Sequence, residues 1–300
     1  MVAFGTRPEA VKLSPVIKEL KRHADQIHTT VCITAQHREM LDQVLRVFEI
    51  KPDVDLDLMK PDQSLAGLTA RIFTQLDPVI KNQKPDWLLI QGDTTTVMAA
   101  AILGFYNQVK VGHVEAGLRT HEKWQPFPEE INRRLAGVVA DLHFAPTENN
   151  RQNLLNEGVR DELIHITGNP AIDALQHIIQ QPEPAEVSQI FEQANLINGN
   201  RRLVLVTAHR RENFGEPIRD ICRALKRLAV RYHDEISLVY PVHLNPNIQE
   251  PVYEMLSDVE NIILLPPMDY LPLVHLMKHG YLILTDSGGI QEEAPSFGIP

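Results

Sequence analysis

The sequence predicts an α/β protein made of two doubly wound domains that face each other across a cleft. Short apolar runs alternate with helical patterns along the whole chain, which is typical of parallel sheets covered by helices. The 300 residues suffice for two domains of ordinary size. Polar stretches at residues 181–184 and 198–200 flank the change from one half to the other. We therefore expect an N-terminal domain over residues 1–170 and a C-terminal domain over residues 171–300.

The first half contains six apolar runs of strand length. They lie at residues 1–4, 30–33, 87–91, 109–114, 142–145 and 164–167. Segments with helical periodicity separate them, at residues 7–21, 38–48, 65–80 and 95–105. A further helix is expected to begin within the proline-rich segment at residues 126–134.

The second half repeats this alternation. Strands are predicted at residues 203–207, 237–240, 262–265 and 281–285, and helices near residues 217–232, 246–256 and 270–279. A helix is also predicted to begin after the glycines at residues 288–289. The chain then stops where another strand would be expected, so the second domain is predicted to be truncated at its C-terminus.

Composition restricts the class of protein. Hydrophobic residues make up 43% and charged residues 23%, as in globular proteins, and the net charge of −10 argues against a nucleic-acid surface. Cys32 and Cys222 lie far apart, so reduced thiols are expected rather than a disulfide or a zinc site. With no apolar run long enough to span a membrane and no signal-peptide pattern, we expect a cytoplasmic protein that binds neither nucleic acid nor membrane.

An anion site is predicted where the first strand meets the first helix. Thr6 and Glu9 have the spacing of a capping box, which fixes a helix N-terminus. Arg7 and Lys12 add positive charge to that terminus, an arrangement that suits an anion. A well-capped helix with surface cations would give the same pattern.

Three acids follow successive connections on one edge of the first sheet. Asp93 comes directly after a strand, Glu115 after the next strand, and Glu129 opens a helix. Such acids could supply a general acid and a general base, because burial and mutual repulsion separate their pKa values. Asp93 could instead cap the next helix, and Glu130 could simply favour the helix dipole.

A second anion site is predicted after the first strand of the second half. His209 could donate to a phosphate or transfer a proton, and the adjoining Arg210 and Arg211 favour the anion-binding interpretation. A buried structural histidine remains the alternative at this position.

The turn at Ser287, Gly288 and Gly289 has the pattern of a phosphate cradle. A strand ends, two glycines allow backbone N–H groups to approach a ligand, and a helix begins. Glu293, one turn into this helix, could hold ribose hydroxyls.

Several common motifs are absent from the sequence. There is no G-x-G-x-x-G, Walker A or G-x-S-x-G motif, and the 13 histidines show no H-E-x-x-H spacing. We therefore predict no nicotinamide, no other cofactor and no metal.

The ordered motifs resemble those of the non-hydrolysing UDP-N-acetylglucosamine 2-epimerase family. The matching segments are FGTRPEAVK, TAQHREML, QGDTTT, GHVEAGLRT, PFPEEINR, ITGN, VTAHRREN, YPVHLNP and LTDSGGIQEEAP. The resemblance implies two Rossmann-like domains in a glycosyltransferase-B-like fold, with the catalytic carboxylates in the first domain and UDP held mainly by the second. It also implies UDP-N-acetylglucosamine as substrate.

The resemblance assigns roles residue by residue. The catalytic residues would be Asp93, Glu115, Glu129 and His209. The substrate-binding residues would be Arg7, Lys12, Asp93, Glu115, His209, Met268, Leu273, Ser287, Gly288, Gly289 and Glu293. Among these, Met268 and Leu273 match positions around the uracil at which close relatives are expected to carry Gln and Phe.

A regulatory site and a homodimer are also implied by the resemblance. Family members use a second UDP-N-acetylglucosamine as an allosteric activator. The residues that match that site are Gln36, His37, Arg210 and His243.

The expected reaction is C2 epimerisation to UDP-N-acetylmannosamine. The C2 hydrogen is not next to a carbonyl, and no nicotinamide motif supports oxidation, so elimination of UDP through 2-acetamidoglucal and its re-addition is the expected route. The alternatives are a hydrolysing epimerase, a retaining glycosyltransferase on the same fold, and a nucleotide-sugar sensor without turnover.

Overall fold

The chain forms two compact units, Met1–Ala174 and Leu175–Pro300. The computed structural model describes residues 1–35, 38–58, 63–197 and 201–300. The division between the units falls within one helix, Pro170–Ile179.

A parallel sheet forms the centre of the first unit. Its strands in the described residues are β1 (Val2–Phe4), β2 (Val31–Ile33), β3 (Val54–Asp55), β4 (Trp87–Gln91), β5 (Lys110–Val114), β6 (Leu142–Ala145) and β7 (Ile164–Ile166). They are ordered β3-β2-β1-β4-β5-β6-β7, and every neighbouring pair is parallel. The order changes direction between β1 and β4, so this is the switch point at which doubly wound sheets bind ligands.

Helices pack on this sheet through apolar faces. They are α1 (Arg7–Arg22), α2 (Arg38–Val47), α3 (Leu65–Gln83), α4 (Thr95–Tyr106), α5 (Glu129–Val139), α6 (Glu148–Asn156) and α7 (Pro170–Ile179). In α3, buried Leu68, Ile72, Leu76 and Ile80 recur every four residues and so form one continuous face. That face joins the core cluster beneath β4 and α4.

The second unit has its own parallel sheet and core. Its described strands are β8 (Arg202–Thr207), β9 (Ile236–Pro241), β10 (Ile262–Leu265) and β11 (Leu282–Thr285). Their order is β10-β9-β8-β11, so the switch point lies between β8 and β11. The helices are α8 (Ala185–Gln193), α9 (Glu216–Arg231), α10 (Pro246–Leu256), α11 (Tyr270–Lys278) and α12 (Gly288–Glu293).

The predicted α/β class with two parallel sheets is confirmed. Each predicted strand is present within one or two residues of its expected bounds. The sequence pattern did not predict β3, a two-residue edge strand, or α6, whose polar composition gives no clear apolar stripe. It also did not predict α7 and α8, which lie around the change from one half of the chain to the other. The cleft between the two domains stays a prediction.

Candidate active site

Glu9 joins the start of α1 to the neighbouring turn. Its Oε2 accepts hydrogen bonds from the backbone N–H of Gly5 (3.1 Å) and Thr6 (2.7 Å), as the capping-box pattern predicts. Its Oε1 accepts a third from Thr94 Oγ1 at 2.9 Å. Burial raises the pKa of Glu9 to about 7, although these hydrogen bonds act in the opposite direction.

The turn after β4, which carries Asp93, is held at several further points. The Nε2–H of buried His113 donates to the carbonyl of Gly92 at 2.7 Å, and Asn132 Nδ2 donates to the carbonyl of Asp93 at 2.9 Å. Burial lowers the pKa of His113 to about 4, so its imidazole is neutral and can serve as a fixed donor. The position of Asp93 is therefore set by the tertiary fold, and Thr94 takes the role of N-cap for α4.

Asp93 has a cationic partner. Its carboxylate forms an ion pair with Arg133 of α5. Glu129 is the first residue of α5 and precedes Arg133 by four positions, so the two side chains project from the same face of the helix. Two of the three predicted acids thus belong to the region around Arg133.

Glu130 has a structural role. Its buried carboxylate accepts hydrogen bonds from the backbone N–H of Thr120 (3.1 Å) and His121 (3.3 Å). It also binds the guanidinium of Arg134 at 2.8 Å. These bonds anchor the preceding loop to α5, so Glu130 is an anchor as well as a first-turn acid.

Glu115 is held by two donors. Its carboxylate pairs with Lys12 of α1 and accepts a hydrogen bond from Gln91, the last residue of β4. Its backbone has φ +62°, a left-handed conformation that non-glycine residues seldom adopt. The structure therefore brings the predicted substrate residue Lys12 into direct contact with a predicted catalytic acid. Arg7, which is partly buried, lies five residues earlier on α1.

Asp93 and Glu115 leave adjacent strands at the same edge of the sheet. Gln91 of β4 pairs in register with Val114 of β5, and the two acids follow these residues by two and one positions. Each acid carries its own cationic partner, so pairing with Arg133 and Lys12 offsets the repulsion between them.

Asp286 organises the switch point of the second unit. Its Oδ2 accepts hydrogen bonds from the backbone N–H of His209 (2.9 Å) and Arg210 (2.9 Å) and from Asn213 Nδ2 (2.8 Å). Since Asp286 follows β11 and His209 follows β8, one carboxylate joins the ends of the two strands.

His209 lies between this carboxylate and a second histidine. Its ring stacks on His243 with centroids 5.7 Å apart and planes 13° apart. Its Nδ1 lies 3.8 Å from Asp286 Oδ1. The pKa of His209 is lowered, first by burial, whereas Asp286 acts to raise it and His243 and Arg210 act to lower it. Arg210 and His243, the two predicted regulatory residues that the structure describes, therefore adjoin a predicted catalytic histidine.

The predicted phosphate turn begins α12. The backbone N–H of Ser287 donates to Thr285 Oγ1 at 2.9 Å, and α12 starts at Gly288. A Cβ added to Gly288 would lie 3.3 Å from the guanidinium of Arg210, whereas one added to Gly289 would meet nothing nearer than Ser287 Oγ at 4.0 Å. Arg210 thus reaches the glycine turn, an approach that the sequence did not reveal.

The remaining predicted substrate residues lie on α11 and α12. Glu293 is buried and accepts a hydrogen bond from Tyr270 Oη at 3.2 Å. Met268 is buried just before α11, and Leu273 is partly buried within it. Gln36 and His37 lie outside the described residues, so their predicted regulatory role stays a prediction.

The motifs did not reveal the polar residues that hold the predicted site residues in place. They lie inside or beside the motifs: Gln91, His113, Asn132, Arg133 and Asp286. The sequence does contain a pattern that could have indicated them. Each is a polar residue near the end of an apolar strand or on a helix that packs beside such a strand, and a polar group buried there requires a hydrogen-bond partner.

The residues that the structure describes contain no group of three or more His, Cys, Asp or Glu side chains placed to hold a metal ion. Within the same part of the chain, each helix is either too short or too polar to cross a membrane.

Comparison with known proteins identifies the family. The family model described as UDP-N-acetylglucosamine 2-epimerase matches residues 18–300. The UDP-N-acetylglucosamine 2-epimerase of Yersinia pestis is 53% identical over all of this chain and 80% of its own length. The chain belongs to the UDP-N-acetylglucosamine 2-epimerase family.

Solved structures of similar proteins contain nucleotide ligands. The crystal structure of UDP-GlcNAc 2-epimerase from Neisseria meningitidis bound to UDP-GlcNAc matches with a TM-score of 0.91 and 50% identity, over all of this chain and 80% of that one. The co-structure of S. aureus MnaA with UDP matches with a TM-score of 0.90 and 48% identity, over all of this chain and 77% of that one. Similarity in sequence and similarity in fold therefore both place the chain in the 2-epimerase family.

Proposed function

We propose that this 2-epimerase interconverts UDP-N-acetylglucosamine and UDP-N-acetylmannosamine by eliminating and re-adding UDP. The observation that carries the proposal is the pair of acids that each contact a basic side chain, Asp93 with Arg133 and Glu115 with Lys12, at the carboxyl edge of β4 and β5. The UDP-GlcNAc bound in the similar Neisseria meningitidis structure supports the choice of substrate.

The proton chemistry follows from these acids. One carboxylate removes the C2 proton while the C1–O bond breaks and UDP leaves, which gives 2-acetamidoglucal and UDP. Protonation of C2 from the opposite face and re-addition of UDP at C1 then give the epimer. Proton removal and return require positioned acids of the kind that Asp93, Glu115 and Glu129 provide.

The leaving group requires stabilisation of negative charge. In the second unit His209, Arg210 and the N–H groups around Gly288 and Gly289 lie at one switch point and are suited to the diphosphate. Glu293 near this turn is assigned to the ribose. Met268 and Leu273 are assigned to the uracil.

The elimination route needs no redox cofactor, because C2 loses and regains a proton and not a hydride, while UDP leaves and returns as an anion.

A cytoplasmic location is part of the proposal. It agrees with the free, buried thiols of Cys32 and Cys222.

The test is turnover in deuterated water followed by NMR. We expect deuterium at C2 of both UDP-sugar epimers without added nicotinamide. Epimerisation without solvent deuterium would exclude the elimination route. Accumulation of free N-acetylmannosamine would identify a hydrolysing enzyme, and transfer of a sugar with its C2 hydrogen intact would identify a glycosyltransferase. Binding without turnover would identify a sensor.

We also propose that a second UDP-N-acetylglucosamine binds beside the first and activates the enzyme. Arg210 and His243 support this because they contact the glycine turn and the ring of His209, so an activator bound to them would act on the leaving-group side. Gln36 and His37 are assigned to the same site by the family resemblance.

A homodimer is the proposed assembly. Large apolar side chains are exposed in the C-terminal halves of α4 and α5, two helices that pack against each other. These side chains are Phe105, Tyr106, Leu135 and Val138. Val138 is 82% exposed, and exposed apolar surface of this kind favours burial against a second copy. Sedimentation equilibrium should give twice the chain mass, and Val138→Asp should shift it toward the monomer. A monomeric wild-type protein would contradict the assignment.

A further inference from the structure

The two carboxylate oxygens of Asp286 have different environments. Oδ2 accepts three hydrogen bonds, from the N–H of His209, the N–H of Arg210 and the amide of Asn213. Oδ1 is buried and has no hydrogen-bond donor within the described residues. The group that it faces is Nδ1 of His209, at 3.8 Å. A buried carboxylate oxygen without a donor is costly, so this contact requires an explanation.

We propose that Asp286 is a positioning residue that fixes the tautomer and charge of the His209 imidazole. The three bonds to Oδ2 orient the carboxylate, and a small rotation of the imidazole brings Nδ1–H onto Oδ1. The other ring nitrogen, Nε2, is then the one that meets the ligand. The inference rests on the proposed function, in which His209 faces the diphosphate.

The geometry has a chemical consequence for the leaving group. With Nδ1–H directed at a carboxylate, neutral His209 exposes an Nε2 lone pair, and protonated His209 presents an Nε2–H donor to a phosphate oxygen. The charged and titratable groups that face the ring are Asp286, His243 and Arg210. Asp286 favours the imidazolium, whereas His243, Arg210 and burial disfavour it. Asp286 therefore makes the cationic donor available when UDP leaves.

A purely structural role for Asp286 gives different expectations. In that case the carboxylate would serve only to join the loop after β8 to the loop after β11, through Oδ2. Removing one of the donors to Oδ2 would then have the same kind of effect as removing Asp286, because both would loosen the connection between the two loops. The tautomer of His209 would change in neither case.

The decisive measurement is ¹⁵N NMR of His209 in the ligand-free protein, because it needs no turnover. We expect wild-type His209 to be protonated on Nδ1 when neutral. In Asp286→Asn the side-chain oxygen keeps the three donors of Oδ2 and the amide NH₂ faces Nδ1, so the tautomer should change to Nε2–H. The pKa of His209 should fall, because the carboxylate charge that raises it is lost.

Two control variants separate charge from structure. Glu212→Gln removes an equal charge from an exposed acid that pairs with Arg210, and it should leave the tautomer unchanged. Asn213→Ala removes one donor to Oδ2 but keeps the carboxylate, and it should also leave the tautomer unchanged. A wild-type protein with the Nε2–H tautomer, or a tautomer change in Asn213→Ala equal to that in Asp286→Asn, would overturn the inference.

Kinetics link the same variants to the reaction. Asp286→Asn should lower kcat roughly 100-fold while KM changes only a few-fold, since His209 then stays neutral and its Nε2–H meets the leaving group without the positive charge of an imidazolium. If the tautomer responds as expected but the wild-type protein does not epimerise the sugar, the proposed function fails and the role of Asp286 stands. If turnover occurs and the tautomer does not respond, the role of Asp286 fails alone.

Discussion

The buried carboxylate of Glu9 makes the stability of the first unit depend on pH. Burial raises its pKa from 4.5 to about 7 in the folded protein. Between these values the native state binds more protons than the unfolded state, so stability falls as pH rises. The stabilising effect of the protonated form is complete below about pH 4.5 and is lost above about pH 7.

The magnitude follows from the same two values. They differ by about 2.5 pH units, which at ~1.4 kcal/mol per unit corresponds to about 3 kcal/mol. Glu9→Gln removes the ionisation and keeps the shape, and its amide oxygen can still accept from Gly5 and Thr6. The free energy of unfolding of the variant, minus that of the wild type, should therefore rise by about 3 kcal/mol between pH 4.5 and pH 8.

The assay can be confined to the first unit. Trp87 and Trp124 are the two tryptophans of the sequence and both lie within Met1–Ala174, so tryptophan fluorescence during urea unfolding reports on this unit. Glu19→Gln is the matched control, because it removes an exposed acid from the same helix. A difference between Glu9→Gln and the wild type that does not change with pH would refute the argument from burial.

Three further predictions concern the site. Gly288→Val should weaken UDP binding strongly, because a branched side chain would displace Arg210 and block the backbone; unchanged affinity by calorimetry in a folded variant would remove this turn from the site. Asp93→Asn and Glu129→Gln should each lose roughly 100-fold in turnover while UDP affinity stays within a few-fold, and near-normal turnover in both would show that other groups move the proton. His37→Ala should lower turnover and flatten a sigmoidal response to UDP-N-acetylglucosamine; wild-type cooperativity in that variant would exclude His37 from the regulatory site.

The fold could be predicted from the sequence because the pattern that specifies it lies within short segments of the chain. Alternation of apolar strands and amphipathic helices specifies parallel sheets without knowledge of contacts. It also placed Asp93, Glu115 and His209 at strand ends, and in a parallel sheet all carboxyl ends lie on one edge. The observed strand orders put these residues at or beside the two switch points.

The partners of these residues were not predictable in the same way. Arg133 lies 40 positions from Asp93, and Asp286 lies 77 positions from His209. Neither separation has a helical or strand period, so only the packed structure shows the contact. The edge strand β3 was missed for a related reason, since two residues take their strand identity from pairing with β2.

One physical requirement explains why an acid lies at each switch point. The ladder of sheet hydrogen bonds ends with the last strand residue, so the two loops that diverge there need another connection to keep a fixed spacing. In the first unit Glu9 supplies it, by accepting from Gly5 and Thr6 after β1 and from Thr94 after β4. In the second unit Asp286, after β11, accepts from the loop after β8.

Glu9 and Asp286 differ in whether a carboxylate oxygen is left over once the two loops are joined. Both oxygens of Glu9 have donors, and its burial costs stability when it ionises. Asp286 uses Oδ2 for the loop and leaves Oδ1 directed at the His209 ring. Replacing Glu9 should therefore change chiefly stability and its pH dependence. Replacing Asp286 should change the imidazole itself, because there the same carboxylate that joins the loops also acts on a residue of the site.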